Sequence, residues 1–465
     1  MIDQTAPKIR VSYDNENVKN EIYYNRPRTA EITIIEENFV PEDVELQLSA
    51  VQEGENIALP QLLGWSSQGE VHRAKIRYDY DAFFSFHISY TDPAGNEAEA
   101  YPGDYFCVDL TAPEVQISEV ADQSANQGIV SPEIRVTDSN SMKDGIRIEL
   151  IGWQNGLKRH EMSSAQITNG MIFRLEDFSY TKETDDLYRL AVSAEDLAGN
   201  RAEQRIRFSV NRFGSVYALD QRTEKLAGEN GTYYTDKEPL ITITETNVDS
   251  LVFQEIVCSH NGKLKTLREN MDYTVEKSGD DTSWKQYRYC IGAENFSEEG
   301  HYTLTVYSED RAKNVSDNQS GGKQISFAVD RSAPSIVLSG AEDGGRYREN
   351  SRELRIDVQD NLALKQVRLW LDGEEQVYEG SDLQEKNGIL TITAKGKDQW
   401  QTLKLQAIDR AGNLTETETL TFLLTPNIWV QFYNRKPLFY GSIAAGILMA
   451  VGGAVYVKKR RKICG

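Results

Sequence analysis

The chain has 465 residues, 39% hydrophobic and 26% charged, and a formal net charge of −21. With 23 Tyr, 15 Phe and 6 Trp but only 12 Pro, it has the material for real hydrophobic cores, which excludes a disordered or mucin-like stalk. So acidic a chain, with no basic patch interleaved with aromatics, also excludes nucleic acid as a partner.

In chain order, the first segment (3–108) predicts strands over 8–13, 31–36, 44–50, 74–78, 82–90 and 105–108, with a poorly periodic insert over 59–69. The second (109–210) predicts 114–117, 133–136, 146–151, 171–175, 187–194 and 204–210, and the loop 177–186 has room for one helical turn. Ile146, Ile148 and Leu150 alternate with Arg147 and Glu149, so one face is buried and one wet. The third and longest (211–329) predicts 240–244, 252–259, 273–277, 284–291, 301–308 and 324–329, with an extra segment at 233–239 and a loop at 317–322. The fourth (330–424) predicts 335–339, 353–357, 365–371, 389–394, 401–407 and 417–424. No segment sustains a 3.6-residue apolar stripe for three turns, so helix content is low.

These segments are copies of one unit. Asp-x-Ala-Gly-Asn recurs as Asp92, Gly95, Asn96; Asp196, Gly199, Asn200; and Asp409, Gly412, Asn413. The third copy, Asp310 and Asn314, carries Lys313 in place of Gly. The Asn residues stand 104, 114 and 99 residues apart, which gives tandem units of about a hundred residues. Asp accepts backbone N–H bonds inside such a turn and Gly supplies its positive φ. Lys313 therefore requires either another geometry or about 1 kcal/mol of strain, and it argues against a shared catalytic or ligand site in the turn. A second mark, Val-Asp-x-x-Ala-Pro, joins one unit to the next at Asp109 and Asp330, and a near copy surrounds Asp3. At the middle junction Asn211 replaces the Asp. Because the chain opens on a junction, we expect a fragment or split-gene product, with further repeats and the export signal upstream.

Six or seven short strands per unit without crossover helices predict an all-β fold of two-sheet sandwiches in tandem. The repeated turn and junction resemble those of the immunoglobulin-like repeats of large surface proteins from Gram-positive (Firmicutes-type) bacteria, over about nine-tenths of the chain. The resemblance implies a stalk or adhesion role, sometimes beside enzyme domains, and names no ligand.

The chain ends in a linker (425–437), twenty uncharged residues (438–457) and a basic tail (458–465). As a helix the uncharged stretch rises about 30 Å, the thickness of a bilayer core. Lys458, Lys459, Arg460, Arg461 and Lys462 then read as cytoplasmic, which puts the four units outside the cell. No Leu-Pro-x-Thr-Gly sorting signal precedes the helix, so a retained single-pass anchor in the lipid bilayer is expected. Ser442, Gly446, Ala450 and Ala454 recur at four-residue spacing, which admits a weak helix-mediated dimer beside the plain reading of common membrane residues.

Catalytic chemistry finds little support. His72, His87, His160, His260 and His301 occupy no repeated position, and neither metalloprotease spacing nor a Cys-x-x-Cys pair occurs. The chain reads as no enzyme. Carboxylates gathered between sandwiches can chelate Ca²⁺ and stiffen a rod; the opposing reading is Asp as a turn cap with no metal. The calcium candidates are Asp92, Asp109, Asp196, Asp310, Asp330 and Asp409, at the first two and last junctions above all, since Asn211 interrupts the pattern. Cys107 and Cys464 have no evident partner, whereas Cys258 and Cys290 are either a disulfide or two small core residues. For recognition of a glycan, host or cell-envelope partner, Trp65 and Trp153 are the aromatics to test against a core role. The expected function is a non-enzymatic stalk or scaffold. The alternatives are an adhesin or carbohydrate- or protein-binding modules, and the membrane-proximal part of a split surface enzyme.

Overall fold

The structure is a computed structural model that describes residues 3–154, 156–157, 162–176, 178, 181–227 and 231–461. His160, Lys462 and Cys464 lie outside the described residues, as do the side chains of Arg460 and Arg461. Among the described residues the strands form eight sheets, two around each of four hydrophobic cores.

The second unit shows the common plan. One sheet runs Glu114–Ser118, Glu133–Thr137, Gly170–Leu175, Met162–Ile167; the other runs Ser124–Asn126, Arg201–Val210, Asp186–Glu195, Arg147–Gly152, Gly156–Leu157. The entering chain is split between them. Its first half pairs antiparallel with the second strand, Glu114 opposite Thr137. Its second half crosses over and pairs in parallel with the last strand, Ser124 opposite Phe208. The same parallel tie sets Tyr23 opposite Cys107, Tyr233 opposite Phe327 and Gly345 opposite Phe422. In the fourth unit the smaller sheet has three strands, and a short helix α1 (Gly380–Gln384) buries Leu383 against its core.

Period-two patterning builds these cores. Along Asp186–Glu195 the side chains of Tyr188, Leu190, Val192 and Ala194 are buried, and their neighbours are not. Each fully buried Leu, Ile or Phe contributes roughly 1.5–3 kcal/mol of transfer free energy. Residues expected as an insert instead form an edge strand, Leu62–Gln68, whose register breaks between Leu63 and Ser66, and that break hides the alternation. Edge strands Lys263–Leu267 and Glu374–Glu379 carry few buried side chains and so left little periodic signal. A single 3₁₀ turn, Lys182–Thr184, lies within the loop expected to hold one helical turn.

Cys258 and Cys290 do not form a disulfide: both thiols are free. Cys258 points into the core, whereas Cys290, on a strand of the opposite sheet, lies between the buried Tyr289 and Ile291 and therefore faces outward. Strand alternation keeps the two sulfurs on different sides of that sheet.

Two helices end the described chain. Helix α2 (Ile428–Asn434) is capped by the Asn427 side chain, which accepts from the N–H groups of Trp429 and Val430. It is pinned to the fourth sandwich by Gln431 Nε2, which donates to the Tyr347 carbonyl at 2.9 Å, and by Trp400 Nε1, which donates to Asn434 Oδ1 at 2.9 Å. Helix α3 (Lys436–Arg461) follows, and its segment Lys436–Lys459 is long and apolar enough to cross a membrane. Phe439 at its start stacks edge-on against Phe432 and Tyr433, which makes an aromatic knee between the helices.

Candidate cation sites at the domain joints

Each Asp-x-Ala-Gly-Asn turn closes on itself. The N–H of Asp196 donates to the Asn200 carbonyl, and Asp196 Oδ1 accepts from the Asn200 N–H at 2.9 Å, while Oδ2 accepts from Asn200 Nδ2 at 2.8 Å. Asp92 with Asn96, Asp310 with Asn314 and Asp409 with Asn413 repeat this clasp. Gly95, Gly199 and Gly412 sit at φ of 87°, 88° and 100°, and Lys313 at 72°. The third turn thus keeps the common geometry and its unit absorbs the strain of a side chain there.

The repeated Asn has a second task. Asn200 Nδ2 also donates to the carbonyl of Asp109, the junction residue, at 2.9 Å. Asn96 reaches Asp3, Asn314 reaches Asn211 and Asn413 reaches Asp330 in the same way. The turn between the last two strands therefore latches the linker that enters the same unit. From the other side, an acid of the preceding unit holds the linker: Asp81 accepts from the N–H of Leu110 and from Thr111 Oγ1, and Glu299 accepts from the N–H of Arg331.

This arrangement gathers carboxylates. Asp3, Glu36 and Asp92 form one group, Asp109, Asp138 and Asp196 a second, and Asp330, Asp360 and Asp409 a third, with donor oxygens inside each group within 4.8 Å of one another. Glu36, Asp138 and Asp360 each directly follow the second strand of their unit. Sequence reading missed them because their local pattern repeats only in part, as acid-x-Asn at Glu36 and Asp138; their common position after that strand was the available signal.

Two like charges at such separation repel by about 3–4 kcal/mol at an effective dielectric near 20. Burial, then the charges of Asp360 and Asp409, pushes the Asp330 carboxyl up to about 6. Burial likewise pushes Asp109 up to about 6; Asn140 donates to it and opposes the rise, while Asp196 and Asp138 add to it. The last joint is the most exacting. Asp330 is fully buried and its Oδ2 accepts no hydrogen bond, and Asp360 Oδ1 beside it is also buried without a donor. Buried acceptors left unpaired cost about 1–3 kcal/mol each, more when charged. An all-oxygen, anionic donor set with idle lone pairs suits a hard divalent cation such as Ca²⁺, which takes six to eight oxygens. A cleft of about 630 Å³ opens onto Asp109 and Asp138, lined also by Glu53 and Asp81 and by no basic side chain.

Asp310 differs from the expectation. It belongs to no such carboxylate group among the described residues, because Asn211 and Asn247 stand where the other joints have acids. Their side-chain amides donate to Asp310 Oδ2 at 2.7 and 3.2 Å.

The two Trp residues named as recognition candidates are both half-buried. Trp65 is half-buried and packs on Phe39 at 4.8 Å in the first core. Trp153 is half-buried beneath the Arg189 guanidinium at 5.7 Å. The most exposed indole is Trp429, on α2.

Residues 75–212 match the family model of a bacterial Ig-like domain (group 3). The four units are Ig-like sandwiches in tandem, a fold typical of non-catalytic structural and adhesion modules. Among solved structures the chain is similar to a tetra-tandem repeat from the extending region of a large adhesion protein, at 15% identity and TM-score 0.36, over 91% of this chain and 100% of that one. It is similar to an adhesin described as Ca²⁺-stabilized, which helps an Antarctic bacterium reach out and bind ice, at 13% identity and TM-score 0.20, over 91% and 100%. It is also similar to the Escherichia coli adhesin FdeC, at 10% identity and TM-score 0.27, over 68% and 98%. Likeness of this degree concerns the fold alone. No curated protein matches the chain.

Proposed function

We propose that the chain is a membrane-anchored surface protein that holds adhesive Ig-like modules away from the cell, with hard divalent cations stiffening its joints. The observation that carries this reading is the joint. Linker, turn and second strand converge there on buried carboxylates, a costly arrangement that a slack tether between modules has no use for. A cation bound by these groups ties the entering linker to its own unit and restricts the hinge. The basic tail behind α3 orients the helix with the sandwiches outside. Such an anchor reaches the exterior directly where no outer membrane intervenes, which favours a Gram-positive type of envelope.

An adhesive role is favoured over a plain spacer by the third unit. Its larger sheet places Phe253 and Val315 on either side of Glu309 in one cross-strand row, and these two apolar side chains are 51% and 77% exposed. Apolar side chains grouped on a wet sheet face are a common mark of a contact surface.

Protease added to intact cells tests the reading. The expected result is loss of the four sandwiches with a membrane-protected remnant, faster in chelator than in Ca²⁺. A full-length chain that survives in protease-accessible envelopes overturns the topology, and cleavage indifferent to Ca²⁺ overturns the cation.

A further inference from the structure

The joint between the second and third units is built without the charge that the others carry. Asn211 takes the place of Asp109 and Asp330, and Asn247 that of Asp138 and Asp360. Their amides occupy the place that a cation would fill at the other joints. Asn211 Nδ2 donates to Asp310 Oδ2 at 2.7 Å and to Asn247 Oδ1 at 2.8 Å, and Asn247 Nδ2 reaches Asp310 Oδ2 and Ser215 Oγ. Asn211 Oδ1 in turn accepts from the N–H of Gly214, which turns the linker at φ 68°. Asp310, Asn211 and Asn247 are all buried, and none has a side-chain polar atom without a partner.

Charge is balanced from the protein as well. Asp185 of the second unit, which occupies the position of Asp81 and Glu299, accepts from the N–H of Arg212 at 2.9 Å and forms a buried ion pair with its guanidinium. Arg311 joins Asp249 at 3.1 Å and donates across the joint to the Gln123 carbonyl at 2.6 Å. Ser209 Oγ, Gln127 and Trp284 Nε1 complete the bridge by donating to Asp249, Asn314 and Asp186. By comparison, the side-chain link from Asn361 to Glu299 across the last joint is exposed.

We propose that this joint binds no cation and stays locked without one, so that chelation loosens the chain around a permanently rigid pair formed by the second and third units. The inference rests on the cation reading of the other joints and specifies which of them obey it. A side-chain amide presents donors to Asp310, so a divalent ion there would have to break three hydrogen bonds and would gain a single carboxylate in exchange.

The linkers supply the test, because Arg212 and Arg331 are trypsin sites at equivalent joints. With the full-length protein in lipid nanodiscs, cleavage after Arg331 should accelerate about tenfold or more when Ca²⁺ is replaced by chelator. Cleavage after Arg212 should change less than about twofold, since proteolysis follows the population of the open form. Equal acceleration at both sites overturns the inference and leaves the cation reading standing; no response at either site overturns the cation reading and the contrast with it. The double variant Asn211→Asp, Asn247→Asp rebuilds the carboxylate group. It should make cleavage after Arg212 chelator-sensitive and add one bound Ca²⁺ per chain by native mass spectrometry. A folded variant that gains neither property refutes the proposal, and the wild-type comparison decides alone if the variant does not fold.

Discussion

Asp330 shows how one buried carboxylate couples folding to pH. An unfolded Asp titrates near 4, whereas burial and then the neighbours Asp360 and Asp409 hold Asp330 protonated up to about 6. The folded state therefore binds more protons than the unfolded state between these values. The stability linked to Asp330, and to Asp109, is fully present below about pH 4 and is lost as pH rises through about 6. In chelator the melting temperature should fall between about pH 4.5 and 7; Ca²⁺ should restore it at the upper end and do little at the lower. Asp330→Asn should flatten both dependences, and melting curves of the wild type that ignore pH in chelator would refute the buried-carboxylate account. The latch residue has a plainer signature. Asn200 donates to Asp196, Asp109 and Thr111, so Asn200→Ala leaves acceptors unpaired and should cost about 1–3 kcal/mol, read as a lower midpoint in urea.

Among the elements, α2 joins the fourth sandwich to the helix that is long and apolar enough to cross a membrane. It has seven residues, too few to be stable alone, and is held by its Asn427 cap and by Gln431 and Trp400 of the docked interface. The side chains left outward, Ile428, Trp429 and Tyr433, are exposed and sit one knee away from the spanning segment. Amphipathic rings at that depth prefer the headgroup layer. Trp429 fluorescence should shift to the blue in nanodiscs relative to the detergent-free soluble part, and lipids brominated near the headgroup should quench it more than lipids brominated at the chain end. Equal quenching by both would place the ring elsewhere. Replacing Gln431 with Ala should leave the span intact while loosening the fourth sandwich on its anchor, visible as a broader range of tilt in electron micrographs of the nanodiscs.

For the molecule as a whole, the proposed cation sites make the joint between the first and second units and that between the third and fourth the places where stiffness can change, and leave the joint between the second and third units fixed. Removing cations should relax the joint between the first and second units and that between the third and fourth, and shorten the mean end-to-end distance. Small-angle scattering in Ca²⁺ and in chelator measures this directly. The maximum dimension should fall in chelator and recover on adding Ca²⁺, with the second and third units still scattering as one body. An unchanged scattering curve would mean that side-chain bonds alone hold every joint.

The sequence by itself determined the repeat, the sandwich and the long apolar helix, because these rest on local signals: period-two burial within single strands, a five-residue turn with its Gly, and one uncharged run of bilayer length. It also marked Asp92, Asp109, Asp196, Asp330 and Asp409, whose neighbours along the chain repeat. It did not reveal Glu36, Asp138 and Asp360, nor that Asn247 answers Asn211, since these meet their partners only when the second strand ends beside a turn tens of residues away. The parallel ties were hidden for a related reason: two- and three-residue segments have no period to read, and their pairing is set by the sheet they join; the edge strands were hidden by a register break or by having few buried side chains. Tertiary structure alone decided which acids face each other in the dark, and which of them had been traded for amides.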